Sequence, residues 1–227
     1  MKLPIPLTVL FFLTALSLLT SCDKPTATQG AATSEKEVVV AATATEEQKA
    51  CCAEHPAPKA AEASAESIYQ ITSTWKDAKG KETTLDALGG KIQVITMGYT
   101  TCKFACPRLL ADLQIIEKGL SEENRAKTHF AFFSIDPEID TPARLSEYRK
   151  ENNIPTDRWK LLTSDQSSVQ ELSVVLGLKY RKVDKSDFAH SNLIIALNEK
   201  GEIIHRQEGL SADPAETIAA IIKVNSQ

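Results

Sequence analysis

Two cysteines separated by three residues, Cys102 and Cys106, are the residues whose types and spacing point most clearly to chemistry. Pro107 follows the second cysteine directly, in the stretch IQVITMGYTTCKFACPRLLADLQ. Proline is favoured at the first position of a helix and restricts the residue before it, so we expect Cys106 at the N-cap. Free backbone N–H groups and the positive end of the helix dipole would stabilise a thiolate there.

Such a thiolate pair is suited to two kinds of chemistry. Disulfide-exchange proteins normally carry two residues between the cysteines, and the longer spacer still permits a disulfide. Two thiolates can instead hold one metal ion, and thiolates select Cu(I), zinc or iron–sulfur clusters. Structural zinc needs four protein ligands, whereas Cu(I) is satisfied with fewer. His190, which precedes a predicted late strand, is the candidate third ligand.

The elements that position these residues follow from the hydrophobic pattern. KIQVITMGY and THFAFFSID are nearly continuous apolar runs, as expected of strands covered on both faces. Helices with one apolar stripe follow these strands and the strand RWKLLTS, and two of the helices begin beside Pro107 and Pro142. An N-terminal hairpin is predicted around KDAKGK.

A second hairpin and a last helix complete the chain. The hairpin is SNLIIALNEKGEIIHRQ, and the helix starts at Asp213-Pro214 with Ile218, Ile221 and Ile222 facing inward. The order is a hairpin, then βαβα, another βα, and ββα. It predicts an α/β class, thioredoxin-like fold with an added N-terminal β-hairpin over residues 67–227.

Export is indicated by the N-terminal sequence MKLPIPLTVLFFLTALSLLTSC. Its apolar run is shorter than the roughly 20 residues that span a bilayer. The ending Leu-Thr-Ser-Cys resembles a lipobox, so residues 1–21 are predicted to be a lipoprotein signal peptide and Cys22 the lipidated residue. Residues 22–66, rich in Ala, Thr, Glu and Lys, are predicted to be a flexible tether. This places the domain on the periplasmic face of a bacterial inner membrane.

Length and charge limit the classes of function. The chain has 227 residues, 25% of them charged, and a formal net charge of −4. This fits one globular domain with extra sequence and argues against nucleic-acid binding. Outside the cytosol, the cysteines must form disulfides or stay reduced for a purpose.

Several motifs together resemble the Sco/SenC family of copper-binding, thioredoxin-like assembly factors for cytochrome c oxidase. They are MGYTTCKFACP, FSIDPEIDTPARLSEYRK, RWKLLTSD and DFAHSNLIIALNEKGEI. The resemblance implies that Cys102, Cys106 and His190 bind one copper ion, as Cu(I) with Cu(II) as a second state. It also implies that the domain delivers copper to the dinuclear copper centre of oxidase subunit II, or keeps the cysteines of that centre reduced. Another periplasmic copper protein is the alternative partner.

Two short stretches depart from the common family pattern. The spacer KFA replaces Pro-Asp-Val or Pro-Asp-Ile and puts Lys103 beside the site, and DFAHS replaces VDHS. A metallochaperone is the favoured interpretation. A thiol-disulfide oxidoreductase using Cys102 and Cys106, and a redox sensor read by a partner, remain alternatives.

Other candidate residues have a plain structural explanation. Asp136 and Asp140 are expected to serve a turn and a helix cap rather than the metal. Met97 is expected in the core. Cys51 and Cys52, with His55, are either reactive or without a role, and the sequence leaves that open.

Overall fold

A computed structural model of the chain describes residues 64–185 and 187–226. The predictions for the signal peptide, for lipidation at Cys22, and for Cys51, Cys52 and His55 lie outside these residues. No helix in the described part is both long and apolar enough to cross a membrane.

Nine strands build one large sheet and one small one. They are β1 (Trp75–Asp77), β2 (Glu82–Thr83), β3 (Ile92–Gly98), β4 (Thr128–Ser134), β5 (Trp159–Thr163), β6 (Tyr180–Asp184), β7 (Asp187–His190), β8 (Leu193–Leu197) and β9 (Ile203–Glu208). The large sheet has the order β2-β1-β5-β4-β3-β8-β9, and β6 and β7 form a separate antiparallel pair. The three central strands β3, β4 and β5 are parallel, and the flanking pairs are antiparallel.

Five helices cover the large sheet. They are α1 (Ala105–Gly119), α2 (Glu122–Ala126), α3 (Pro142–Glu151), α4 (Gln166–Leu176) and α5 (Ala215–Asn225). Side chains of α1, α3 and α5, such as Leu113, Leu145 and Ile221, pack in one apolar layer. The opposite layer contains α4 residues packed with Trp75 and Phe133. All seven residues of β3 are buried, which explains its nearly continuous apolar sequence.

Local capping fixes where the helices begin and end. The Thr141 side chain accepts a hydrogen bond from the N–H of Arg144, and Pro142 occupies the first turn of α3. Asp165 caps α4 through the N–H of Ser168, and Gly177 ends that helix with a φ of 69°. This left-handed conformation is the one that favours glycine.

The predicted architecture is confirmed, with three local differences. The N-terminal hairpin is present as β1 and β2, with Trp75 opposite Thr83. The small sheet β6–β7 and the short helix α2 were not predicted. Ile222 was expected to face inward and is 40% exposed, so that detail was wrong, whereas Ile221 is buried.

Candidate metal centre

The site forms where β3 ends and α1 begins. Gly98 is the last residue of β3, and an added Cβ there would lie 2.8 Å from Cys106 Sγ and 2.9 Å from Phe132 Cε2. Only a residue without a side chain allows the sulfur to approach the strand this closely. The backbone N–H of the next residue, Tyr99, points at Cys106 Sγ at 3.4 Å.

The cysteines occupy different positions from those expected. Cys106 is not the N-cap, because α1 begins at Ala105 and Phe104 precedes it without a side-chain cap bond. The Cys106 N–H donates to Cys102 Sγ at 3.3 Å, so the first sulfur satisfies a free amide of the helix N-terminus. Cys102 thus occupies the position that stabilises a thiolate. It lies four residues before Cys106, the cysteine that the proline rule suggested.

The two thiols are held in opposite protonation states by their contacts. A hydrogen bond from the Cys106 thiol, then backbone N–H groups of Cys106 and Phe104, lower the pKa of Cys102 to about 4 against the effect of burial. The hydrogen bond to Cys102 and burial raise the pKa of Cys106. Both thiols are free, with Cys102 partly exposed and Cys106 buried. The metal-free site therefore carries one thiolate, and the second sulfur keeps its proton.

His190 completes a three-residue cluster. It ends β7, opposite Tyr180 in the small sheet. Its Nδ1 lies 3.0 Å from the carbonyl oxygen of Ser191, and its Nε2 lies 3.6 Å from Cys106 Sγ. A carbonyl can only accept, so Nδ1 carries the proton and the Nε2 lone pair faces the sulfurs. The ligand atoms of the two cysteines and His190 all lie within 4.8 Å of one another.

Tyr99 links the cysteine loop to the small sheet and was not recognised from the sequence. Its ring lies edge-on to His190, with centroids 5.8 Å apart. The hydroxyl donates to Asp187 Oδ1 at 2.5 Å and accepts from the Phe188 N–H at 3.3 Å. The only available signal was an aromatic residue directly after an apolar strand, which is too common to be informative.

Asp140 anchors the loop that leads to Cys102. Its buried carboxylate accepts from the N–H of Thr100 at 3.1 Å, from the Thr100 hydroxyl at 2.5 Å and from the Ser134 hydroxyl at 2.6 Å. Burial raises the pKa of Asp140, against the lowering effect of these bonds. Arg144 Nε also donates to Thr100 Oγ1 at 3.0 Å. These bonds connect the beginning of α3 to Thr100, which lies two residues before Cys102.

The remaining candidates lie apart from the cluster. The carbonyl of Asp136 accepts from the N–H groups of Ile139 and Asp140, which is the turn that the sequence predicted. Thr141 rather than Asp140 caps α3. Met97 is fully buried in β3, as expected of a core residue. In the described residues, the cysteine–histidine cluster is the one group of three such ligands close enough for a metal ion.

Comparison with known proteins agrees with this geometry. The SCO1/SenC family model matches residues 61–226. The SCO1 protein homolog of Bacillus subtilis is 24% identical over 153 residues, which are 66% of this chain and 79% of the relative.

Solved structures share the fold. Arabidopsis thaliana ScoI with copper bound aligns with a TM-score of 0.59 at 21% identity, over 68% of this chain and 96% of that one. BsSco, a Sco protein in which a disulfide switch was identified, aligns with a TM-score of 0.60 at 23% identity, over 67% and 91%. The thioredoxin-like arrangement of strands and helices is therefore common to all three.

Proposed function

Because the chain belongs to the SCO1/SenC family, we propose that it is a copper chaperone that serves cytochrome c oxidase. It binds one copper ion through Cys102, Cys106 and His190 and delivers the ion to the dinuclear copper centre of oxidase subunit II. One observation carries this proposal: two sulfurs and one imidazole nitrogen converge within 4.8 Å, on three separate segments of the fold. The copper-bound structure of the Arabidopsis relative supports it.

The chemistry of the donor set fits copper as cargo. Thiolates are soft ligands that favour Cu(I), and imidazole suits copper in either oxidation state. The Ser191 carbonyl holds the histidine in the tautomer with Nε2 free to bind. Two thiolates and one imidazole leave Cu(I) three-coordinate, so an incoming ligand can bind before one of the three leaves.

Transfer proceeds by ligand exchange. A thiolate of the acceptor binds the copper ion, and the bond to Cys102 breaks first because that sulfur is partly exposed. Cys106 is buried and releases the ion later, recovering its proton as the metal leaves. Copper remains Cu(I), so the exchange needs no oxidant or reductant.

Delivery is tested with the copper-loaded, reduced protein and the metal-free soluble domain of oxidase subunit II from the same organism. We expect copper to move from the donor to the acceptor, measured as the copper content of each protein after the two are separated. The dinuclear-centre absorption of the acceptor should follow when an added oxidant removes one electron per pair of copper ions. A fully loaded donor that retains its copper in the presence of this acceptor would rule out delivery to subunit II. Transfer to another periplasmic copper protein would then identify the acceptor.

A second function is favoured by the unequal thiols. A partly exposed cysteine with a pKa of about 4 beside a buried, protonated one is the arrangement of a dithiol that exchanges with disulfides. The disulfide switch of BsSco concerns a relative with the same fold. In this alternative, the Cys102 thiolate attacks a disulfide of the substrate and Cys106 resolves the mixed disulfide, leaving Cys102 and Cys106 oxidised and the substrate reduced.

Substitution of the histidine separates the two functions. His190→Ala removes one copper ligand and neither thiol, so we expect copper binding to be lost while reduction of a test disulfide continues. Cys106→Ser should abolish both activities. Equal copper affinity in His190→Ala and the unsubstituted protein would remove the histidine from the proposed site.

We also propose that Cys22 carries acyl chains and tethers the protein to the periplasmic face of the inner membrane. The motif at the end of the signal sequence supports this. Cys22→Ser should move the protein from the membrane fraction to another fraction or leave it with an uncleaved signal sequence. Unchanged membrane attachment, with normal processing, would exclude a lipid at this residue.

A further inference from the structure

An exposed aromatic ring stands between the two cysteines. Phe104 is 87% exposed, the largest exposed fraction among the large apolar residues that the structure describes. Single exposed apolar residues are common and need no explanation by themselves. This one, however, is separated from each of the two cysteines by a single residue, so any protein that takes the metal has to pass close to it.

Positively charged side chains lie on the strand that pairs with β7, the strand of His190. The segment 179–185, KYRKVDK, contains β6 and carries four positive and one negative side chain in a chain of net charge −4. Lys182 forms an ion pair with Glu138 at 2.6 Å. Among the described residues, Lys179, Arg181 and Lys185 have no ion-pair partner, and all three are exposed.

Strand pairing puts two of these cations, Lys179 and Arg181, near His190, whereas Lys185 follows the other end of β6. Tyr180 lies opposite His190 and Arg181 opposite Ala189 in the small sheet. A shallow depression of about 360 Å³ is lined by Lys179, Arg181 and His190, among others. Exposed Lys103 adds a further charge next to Phe104. We call Lys103, Lys179 and Arg181 the cationic rim.

Phe104 and the cationic rim border the same metal centre. Cys106, two residues beyond Phe104, has its sulfur 3.6 Å from His190 Nε2. In the sequence, Phe104 lies between the partly exposed Cys102 and Cys106. A surface with a central aromatic anchor and charges at its edge is the usual anatomy of a protein docking site.

We infer that this surface docks the copper acceptor, and that the acceptor is a protein with acidic side chains around an apolar pocket beside its receiving thiolates. The inference deepens the proposed function and rests on it. The rim attracts the acidic partner and speeds the encounter, whereas Phe104 fills the pocket and prolongs the complex. Lys103 and Phe104 stand where the family commonly has Pro and Asp, so they set the partner preference of this chain.

An anionic lipid surface carries the same negative charge as an acidic protein. The position of the copper ligands nevertheless favours a protein as the partner. Cys102 is the partly exposed sulfur, and copper has to leave past it. A membrane lying on this face would close that exit to an acceptor. Binding to lipid is therefore the competing outcome in the experiment.

The experiment measures copper transfer from the mature chain to the soluble domain of oxidase subunit II of the same organism. The variants are Phe104→Ala and Lys179→Glu/Arg181→Glu. The matched controls are Val174→Ala, an exposed apolar residue on α4, and Lys118→Glu/Lys200→Glu, the same charge change at exposed positions away from the cysteines. Transfer to neocuproine, an uncharged chelator, reports whether the metal site itself is intact.

We expect the charge reversal to lower the second-order transfer rate about tenfold at low salt, with the difference vanishing at high salt. Phe104→Ala should weaken the complex with the acceptor about tenfold at either salt concentration. Both controls should match the unsubstituted protein, and transfer to neocuproine should be the same in every variant. Variants that transfer copper to the acceptor as fast as the controls do would overturn the inference.

Two further measurements distinguish a failure of this inference from a failure of the proposed function. Binding of the metal-free, reduced protein to the same acceptor domain tests docking even if no copper is carried, and Phe104→Ala must weaken it. Sedimentation with vesicles of phosphatidylglycerol and phosphatidylethanolamine tests the lipid alternative. Charge reversal that abolishes vesicle binding and leaves acceptor binding unchanged would assign the surface to the membrane.

Discussion

At the scale of single residues, the two cysteines have divided roles. Cys102 accepts hydrogen bonds at the start of α1 and is partly exposed, so it is the thiolate that meets a partner. Cys106 is buried against Gly98 and faces His190, so it forms the fixed part of the site. The sequence predicted a stabilised thiolate at this loop but assigned it to the wrong cysteine, because the cap rule does not include a sulfur acceptor four residues upstream.

Alkylation of the reduced, metal-free protein tests this division. Since the pKa of Cys102 is lowered to about 4, the thiolate persists through neutral and mildly acid pH. The rate of its reaction with iodoacetamide should change little between about pH 7 and pH 5.5, whereas an ordinary thiol with a pKa near 8.5 slows about tenfold per pH unit. Mass spectrometry should find the label on Cys102 before Cys106.

The control for this measurement removes the strongest cause of the low pKa. Cys106→Ser replaces the thiol that donates to Cys102 with a hydroxyl in the same place, and Cys106→Ala removes the donor altogether. The alanine variant should recover a marked pH dependence, and the serine variant should lie between it and the unsubstituted protein. A tenfold fall per pH unit in the unsubstituted protein would mean that Cys102 is an ordinary thiol.

Gly98→Ala tests the close contact behind Cys106. The new methyl group would lie 2.8 Å from the sulfur and 2.9 Å from the Phe132 ring, so one of them must move. We expect a loss of about 1–3 kcal/mol in unfolding free energy, as for other overpacked cores, together with weaker copper binding. Gly119→Ala is the control, because its only contact under 3.0 Å is the flexible end of Ile218. Unchanged copper affinity in Gly98→Ala would show that the sulfur position tolerates displacement.

At the scale of elements, the centre is assembled from parts that are distant in sequence. The loop after β3, the start of α1 and the end of β7 supply the two sulfurs and the imidazole, and the residues before α3 hold that loop through Asp140. Apolar periodicity predicted most of these elements. It missed β6–β7, whose strands are mostly exposed and charged and so carry no buried stripe. It also could not give the strand order, which depends on contacts between distant segments.

Asp140→Asn tests the anchoring of the cysteine loop. The carboxylate accepts three hydrogen bonds from Thr100 and Ser134, whereas an amide has one acceptor atom and would place N–H groups against donors. Leaving buried donors unpaired should lower the unfolding free energy by about 1–3 kcal/mol, measured by urea titration, and should weaken copper binding. Glu147→Gln on the exposed face of α3 is the control. A stable Asp140→Asn protein with normal copper affinity would show that the anchor is dispensable.

At the scale of the whole molecule, the fold is that of the SCO1/SenC family, whereas Lys103 and Phe104 beside the site depart from the common family pattern. The two cysteines and His190 suggested a metal site but left disulfide exchange open, and the resemblance to the Sco/SenC family supplied copper and the full ligand set. The surface beyond them could not be predicted in the same way. Exposure of Phe104 and the placement of the β6 cations beside His190 depend on how the loop and the small sheet fold.

The most direct test of the central claim is the amount of Cu(I) that the reduced, mature chain retains against a competing chelator. It should be measured with Cys51→Ser/Cys52→Ser present in every sample, so that only the folded domain offers thiols. The account predicts one copper per chain, lost in Cys102→Ser, Cys106→Ser and His190→Ala, and kept in His205→Ala, which alters a histidine of β9 outside the cluster. Copper retained equally by all four variants, or by none including the parent, would contradict it.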